Sequence, residues 1–220
     1  MRAAKLPVRE STLRAHQRTL ETIASPGAWW SGEDRIAIVE EARSAVNCPL
    51  CQQRSKALSP ATIDGDHDHN GELPEAAIEV IHAMRNDSGR LTRRWFDGVM
   101  ASGLDREAYV ELVSVVASSV VVDTFAQGIG ATITELPMAQ PGEPSRESSA
   151  EVAEAGAWIP IAAQGKANIL SSLGLLPGAV DLFFGAFNES YYMGTTELDL
   201  QHRQVELVAS KVSAVNQCFY

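Results

Sequence analysis

The sequence is short of several features that would point to particular partners. It has no basic excess: 28 Asp and Glu outnumber 18 Lys and Arg over 220 residues, leaving a formal charge of −10. Such a chain repels phosphate backbones, which argues against nucleic acid as a partner. It also offers no basic amphipathic stretch for an anionic membrane surface. Long apolar runs are missing as well. Leu112 to Val122 is interrupted by Ser114, Ser118 and Ser119, and it falls short of the roughly 20 residues that a bilayer span needs. Met1 to Leu13 carries scattered basic residues without the apolar stretch of a signal peptide. A soluble cytoplasmic protein is therefore expected. Cysteine is scarce, with only Cys48, Cys51 and Cys218, so a structural disulfide framework is not expected in a reducing compartment. No convincing alternation of apolar and polar residues marks a strand. The 45% of hydrophobic residues is nevertheless a normal globular share, enough to bury a sizeable core.

The periodicity is helical. Ser31-Gly-Glu-Asp34 resembles a capping box with Asp in place of Glu or Gln, and Ile36, Val39, Ala42, Ala45 and Val46 follow at helical spacing. Pro49 begins a short helix that Ser59-Pro60 stops, and Pro74 suits the first position of the next. A further helix holds Leu91, Trp95, Phe96 and Val99 and closes at Gly103. Asp105 caps a long apolar helix to about Gly128. Residues 131–157, with Pro137, Pro141 and Pro144 and no period, read as a linker or extended arm. Helical patterning returns over Ile169 to Leu176, Val180 to Phe187, and from near Leu200 to Val215. Trp29-Trp30 and Phe183-Phe184 read as core or oligomer contacts.

Two short internal echoes suggest a duplicated helical unit. Ser-Ala-Val-Asn precedes Cys48 directly and recurs one residue further from Cys218, and Val110-Glu-Leu-Val113 is matched by Val205-Glu-Leu-Val208. The expected organisation is all-α, with a first unit over residues 1–130, the linker over 131–157, and a second unit over 158–220 that is incomplete at its C-terminal end.

Cys48-Pro-Leu-Cys51 is the densest chemistry in the sequence. In a Cys-x-x-Cys pair one thiolate attacks and the other resolves the product. Placing Cys48 before Pro49 sets it at a helix N-terminus, where the helix dipole favours the thiolate. Two inert cysteines on a helix are the plain alternative. A zinc reading would recruit His67 and His69 from Asp64-Gly-Asp-His-Asp-His-Asn70, but that His-x-His spacing is tighter than in zinc fingers. The same loop superficially resembles a calcium loop. His69 falls where Gly is required and Pro74 sits before the last ligand, so a solvated loop is the expectation. Neither a metal nor a cofactor is expected.

The C-terminal segment, Glu206-Leu-Val-Ala-Ser-Lys-Val-Ser-Ala-Val-Asn-Gln-Cys218-Phe-Tyr220, resembles the core motif of alkylhydroperoxidase D-like proteins, within the carboxymuconolactone decarboxylase superfamily. That motif places a Glu twelve residues before the first Cys of a Cys-x-x-Cys, with a His after it. Glu206 and Cys218 have this separation, and Ser213, Asn216 and Tyr220 fit the surroundings. Asn168 to Pro177 is similar to the family's entry segment. Asp87 to Thr92, Gly103 to Glu107 and Asp123 to Phe125 are similar to its second helical half.

The resemblance implies an alkylhydroperoxidase D-like helical bundle of the peroxidase-related, two-unit kind, assembled as a homo-oligomer. It further implies thiol-dependent reduction of a peroxide or a disulfide, with an external thiol reductant. Cys48, Cys51 and Cys218 would be the reactive thiols and Glu206 the proton-relay acid.

The sequence also departs from the motif. The second Cys and the His would lie beyond Tyr220, so the motif reads as cut mid-way. Twelve residues before Cys48 stands Ile36, and the His position after Cys51 is Ser55. A relay for the first pair would have to come from Glu40 or Glu41 and from His67 or His82. Glu111, twelve residues before Asp123, is a further candidate relay acid, although with Ser114 and Ser118 it reads first as the wet stripe of a helix. A decarboxylase-like lactone enzyme and a non-catalytic oligomerisation module are the rival functions.

Overall fold

The computed structural model describes residues 6–71, 73–163, 168–191 and 200–215. It is mostly helical, which establishes the all-α class. The helices are α1 (Glu10–Ile23), α2 (Gly32–Ser44), α3 (Pro49–Lys56), α4 (Glu75–Asp87), α5 (Arg93–Ala101), α6 (Arg106–Gly128), α7 (Asn168–Leu173), α8 (Pro177–Phe187) and α9 (His202–Val215). Short 3₁₀ turns at Ala45–Asn47, Pro60–Thr62 and Ser88–Arg90 join the elements around the cysteine pair.

Local sequence explains two helix starts through side-chain caps. Ser31 caps α2 through a reciprocal box: its hydroxyl accepts from the Asp34 N–H at 3.1 Å, and Asp34 Oδ2 accepts from the Ser31 N–H at 3.1 Å. Thr92 caps α5 through the Trp95 N–H. Two expectations shift slightly. Pro74 is the residue before α4 rather than its first residue. Asp105 precedes α6 without a side-chain cap.

Helix α6 is the axis of the compact unit that runs to Ser190. It packs on α8, α2, α4 and α1. Its Val110, Leu112, Val115, Val116 and Val122 are buried in the core with Leu20, Ile38, Ile78 and Ile81. Among the described residues, α6 is the one helix long and apolar enough to cross a membrane, and its apolar residues line this core. The wet stripe expected on α6 is instead buried. Ser114 donates to the Ala179 carbonyl of α8 at 2.6 Å, Ser118 to the Ser114 carbonyl and Ser119 to the Val116 carbonyl. Small hydroxyls satisfied by backbone let α8 approach closely without stranding a polar group.

Residues 131–150 have no regular structure and are strapped to the helical unit. Backbone N–H groups of Gln140, Ser145, Arg146 and Ser149 donate to carbonyls of Ala24, Gly27, Ala28 and Leu175. Arg43 grips Asp123 with two 2.8 Å hydrogen bonds and also donates to the Thr134 carbonyl. A two-strand antiparallel ribbon follows, β1 (Val152–Ala153) with β2 (Ile161–Ala162). Sequence periodicity cannot detect strands of two residues. Helices α7 and α8 lie within the first compact unit, so the structural boundary falls after Ser190 rather than within 131–157.

The second unit, from Tyr191 onward, contains α9, where Tyr191 donates to Glu206 at 3.2 Å.

Candidate functional site

The site is built where α3 begins, against α4 and the segment that precedes α4. Cys48 is the residue before α3, in extended conformation, and Pro49 is the first helical residue. A Cys-x-x-Cys at a helix start turns both sulfurs to one side. Backbone N–H groups of Cys51 and Asp68 point at the Cys48 sulfur. Cys48 is 1% exposed and Cys51 4%, and both are unbridged thiols.

Two histidines face this pair. His67 Nδ1 lies 3.6 Å from Cys48 Sγ and 3.5 Å from Cys51 Sγ. His82 Nδ1, on α4, lies 3.3 Å from Cys51 Sγ. The two rings stand side by side, with centroids 4.2 Å apart. On its far side each imidazole has a carboxylate. His67 Nε2 is 2.9 Å from Glu79 Oε2, and His82 Nε2 is 2.7 Å from Glu41 Oε1. A carboxylate accepts only, so each Nε2 carries the proton and each Nδ1 is aimed at sulfur.

The carboxylates are themselves held. Glu79 accepts from Arg54 at 3.1 Å and from the Trp95 indole at 2.7 Å, while Glu41 Oε2 accepts from the Asn70 N–H at 2.9 Å. Glu41 and His82 are buried, with side chains 2% and 0% exposed.

The acidic segment 64–70 thus serves the cluster through its backbone. Asp64, Asp66 and Asp68 are exposed, while the Asp68 and Asn70 amides turn inward. Position 65 has φ +150°, a conformation that glycine adopts without strain, so the chain turns there toward His67.

Burial pushes the Cys48 thiol up. The Cys51 N–H, His67, the Asp68 N–H and the Cys51 side chain together outweigh it and bring Cys48 down to about 7. Burial would likewise strip the proton from His67, but the Cys51, Glu79 and Cys48 side chains raise it to about 10. Glu79, against its own burial, is held down to about 2 by His67, Trp95 and Arg54. Burial lowers His82, with the neighbouring His67 charge adding to the effect, so His82 is the neutral member. Without metal, the cluster therefore couples an imidazolium at His67 to thiolate character at Cys48.

The Cys48 thiolate is favoured in the folded state, so this stabilisation is complete above the ordinary thiol value and is lost as pH falls through about 7. Peptide-mapped alkylation of Cys48 in chelator-treated protein is expected to rise with a midpoint near pH 7. A profile following a free thiol, near 8.5, would rule out the coupling.

Glu111, Asp123 and His69 lie outside this cluster. Glu111 is buried but accepts from the Trp29 N–H at 2.6 Å and pairs with Arg35 at 3.3 Å. It pins the α1–α2 loop and is not a relay acid for Cys48 or Cys51. Asp123 is the partner of Arg43. His69 lies beside Glu75 at 3.7 Å and is not among the four clustered side chains. Glu206 is exposed on α9, and Cys218 lies outside the described residues. A cavity of about 740 Å³ beside Gly27, Arg35, Glu111 and Arg146 is lined by neither Cys48 nor Cys51.

Sequence reasoning missed Glu79 and Trp95. Glu79 stands three residues before His82 on α4, a spacing that puts both on one face of a helix. That spacing was the available signal.

Comparison with protein-family models, with curated proteins and with solved structures finds no match to this chain.

Proposed function

We propose that the chain is a thiol-dependent oxidoreductase of the alkylhydroperoxidase D-like type, reducing peroxides through Cys48 and Cys51. The observation that supports this reading is the pairing of two adjacent thiols with two carboxylate-backed imidazoles. The local motif lacks a relay, and in this reading Glu41 with His82 and Glu79 with His67 take that part, supported by their hydrogen bonds beside the thiols.

In this reading the Cys48 thiolate attacks a peroxide oxygen. The O–O bond breaks, the leaving alkoxide takes a proton from His67, and Cys48 becomes a sulfenic acid. The Cys51 thiol passes its proton to His82 Nδ1 and attacks the Cys48 sulfur. Hydroxide leaves, collects that proton as water, and a Cys48–Cys51 disulfide forms. An external dithiol then restores both thiols by exchange. Burial of both sulfurs favours a small peroxide. A reducing, cytoplasmic setting and a homo-oligomeric assembly belong to the same reading. The decarboxylase-like alternative makes no use of the cysteine pair.

Peroxide consumption by chelator-treated protein supplied with a dithiol tests it. Turnover is expected in the wild type and in His69→Ala, and is expected to fall to background in Cys48→Ser and Cys51→Ser. Equal consumption by Cys48→Ser would reject the reading.

A further inference from the structure

The four side chains of the cluster converge more closely than thiol chemistry needs. Cys48 Sγ, Cys51 Sγ and one ring nitrogen each of His67 and His82 all lie within 4.8 Å of one another. Hydrogen bonding accounts for the neighbouring S···N pairs, His67 Nδ1 with both sulfurs and His82 Nδ1 with Cys51, but gives no reason for all four side chains to converge this closely. Four lone-pair donors facing one dry point repel unless a proton or a cation stands there. We propose that Cys48, Cys51, His67 and His82 hold one zinc ion in a closed, tetrahedral two-sulfur, two-nitrogen site.

The dimensions agree. Zn–S bonds of about 2.3 Å and Zn–N bonds of about 2.0–2.1 Å in a tetrahedron set the S···N edges near 3.5 Å. The observed contacts are 3.6, 3.5 and 3.3 Å. Thiolate and imidazole donors select zinc over magnesium or calcium. Two thiolates balance the charge of the ion, so the buried ion with its four ligands is neutral. The surroundings are those of a metal centre too. Glu79 and Glu41 accept the outer N–H of each histidine, fixing its tautomer and ring plane. The Cys51 and Asp68 amides point at the Cys48 sulfur. No ligand position is left open, since all four ligands are buried or nearly so, which marks a structural rather than a catalytic zinc. The ion would tie segment 63–71 to α3 and α4.

One consequence rests on the redox reading above. Zinc and the disulfide compete for the same two sulfurs. When peroxide oxidises the zinc-bound pair, the two thiolates give up an electron pair and join. The peroxide takes that electron pair and two protons from solvent and leaves as water and an alcohol, and the zinc ion departs. Bound zinc is therefore expected to slow disulfide formation, and oxidation to release the ion.

The test is elemental analysis of the reduced full chain after exposure to zinc and removal of excess. About one zinc per chain is expected in the wild type and in His69→Ala, and none in Cys51→Ser or His82→Ala, with helical circular dichroism checking that each is folded. Cobalt substitution is expected to give thiolate-to-metal charge transfer and the intense visible bands of a tetrahedral site. Where a variant does not fold, stoichiometric zinc release from the wild type by a mercurial thiol reagent, followed with a chromophoric chelator, reads the same point. Wild type that retains no zinc, retention by Cys51→Ser, or dependence on His69 would overturn the site. The two readings fail separately. Wild type that retains no zinc after exposure yet forms the disulfide sinks only the metal site, and wild type that retains zinc but whose chelated form is inert to peroxide sinks only the redox reading.

Discussion

Replacing Glu111 with alanine is expected to remove about 3–5 kcal/mol of stability, the usual cost of breaking a buried ion pair from one side. Glu111 and Arg35 have side chains only 4% and 6% exposed. Arg35 donates to the Thr22 and Ser25 carbonyls at 3.1 and 2.8 Å, so it cannot swing out to water without releasing the loop between α1 and α2. Glu111 holds the same loop from the other side, through the Trp29 N–H. Gly27 packs directly on the carboxylate, where any Cβ would collide with Glu111 Oε1. The alanine variant leaves a buried guanidinium without its counter-charge and an N–H without an acceptor. Glu111→Gln keeps an acceptor for Trp29 and loses only the charge, so it is expected to fall between wild type and Glu111→Ala. Urea unfolding measures this as a lower midpoint at unchanged slope. Cys48 alkylation is expected to stay the same, because Glu111 touches none of the cluster. A loss below about 1 kcal/mol would show that the pair does not hold the loop.

The second large effect is expected at His82. In metal-free protein, His82→Ala leaves the buried Glu41 carboxylate with the Asn70 N–H as its remaining described partner and opens a cavity beside Cys51. Both terms are unfavourable, and a loss of about 3 kcal/mol or more is expected. Glu41→Ala removes the charge that His82 neutralises. The double variant is therefore expected to cost less than the sum of the singles, by a coupling of about 1–3 kcal/mol. Additivity within about 0.5 kcal/mol would mean that the 2.7 Å contact does not couple the two residues. Repeating the cycle with zinc adds the linkage of metal to folding, which every variant lacking His82 is expected to lose.

These two sites differ in how far they could be read from sequence. Cys48 before Pro49 announces a thiol at a helix start because that signal is local. The partners of the pair are not local. The motif positions hold Ile36 and Ser55, while the fold draws Glu41 from α2, His67 from an irregular segment, and Glu79 with His82 from α4. His67 and His82 were legible as candidates by residue type, but only packing shows that His82, and not His69, joins the thiols. Glu111 illustrates the reverse. An acid amid the apolar residues of α6 attracts a catalytic reading, yet its ion pair and its contact with Gly27 make it a fastener. Residues 131–150 had no period, and their tethering runs through backbone groups that carry no side-chain signature. Helix positions followed from caps and prolines, since those effects act within a few residues.

The proposed redox pairing of Cys48 and Cys51 inside a histidine and carboxylate cluster is tested most directly by peptide mapping with mass spectrometry after reduced, chelator-treated protein meets a single equivalent of hydrogen peroxide. A Cys48–Cys51 disulfide is expected as the main product, formed more slowly in His67→Ala and His82→Ala. Peroxide left unconsumed with both thiols still free, or oxidation reaching Cys218 and methionine while Cys48 and Cys51 stay reduced, would contradict it.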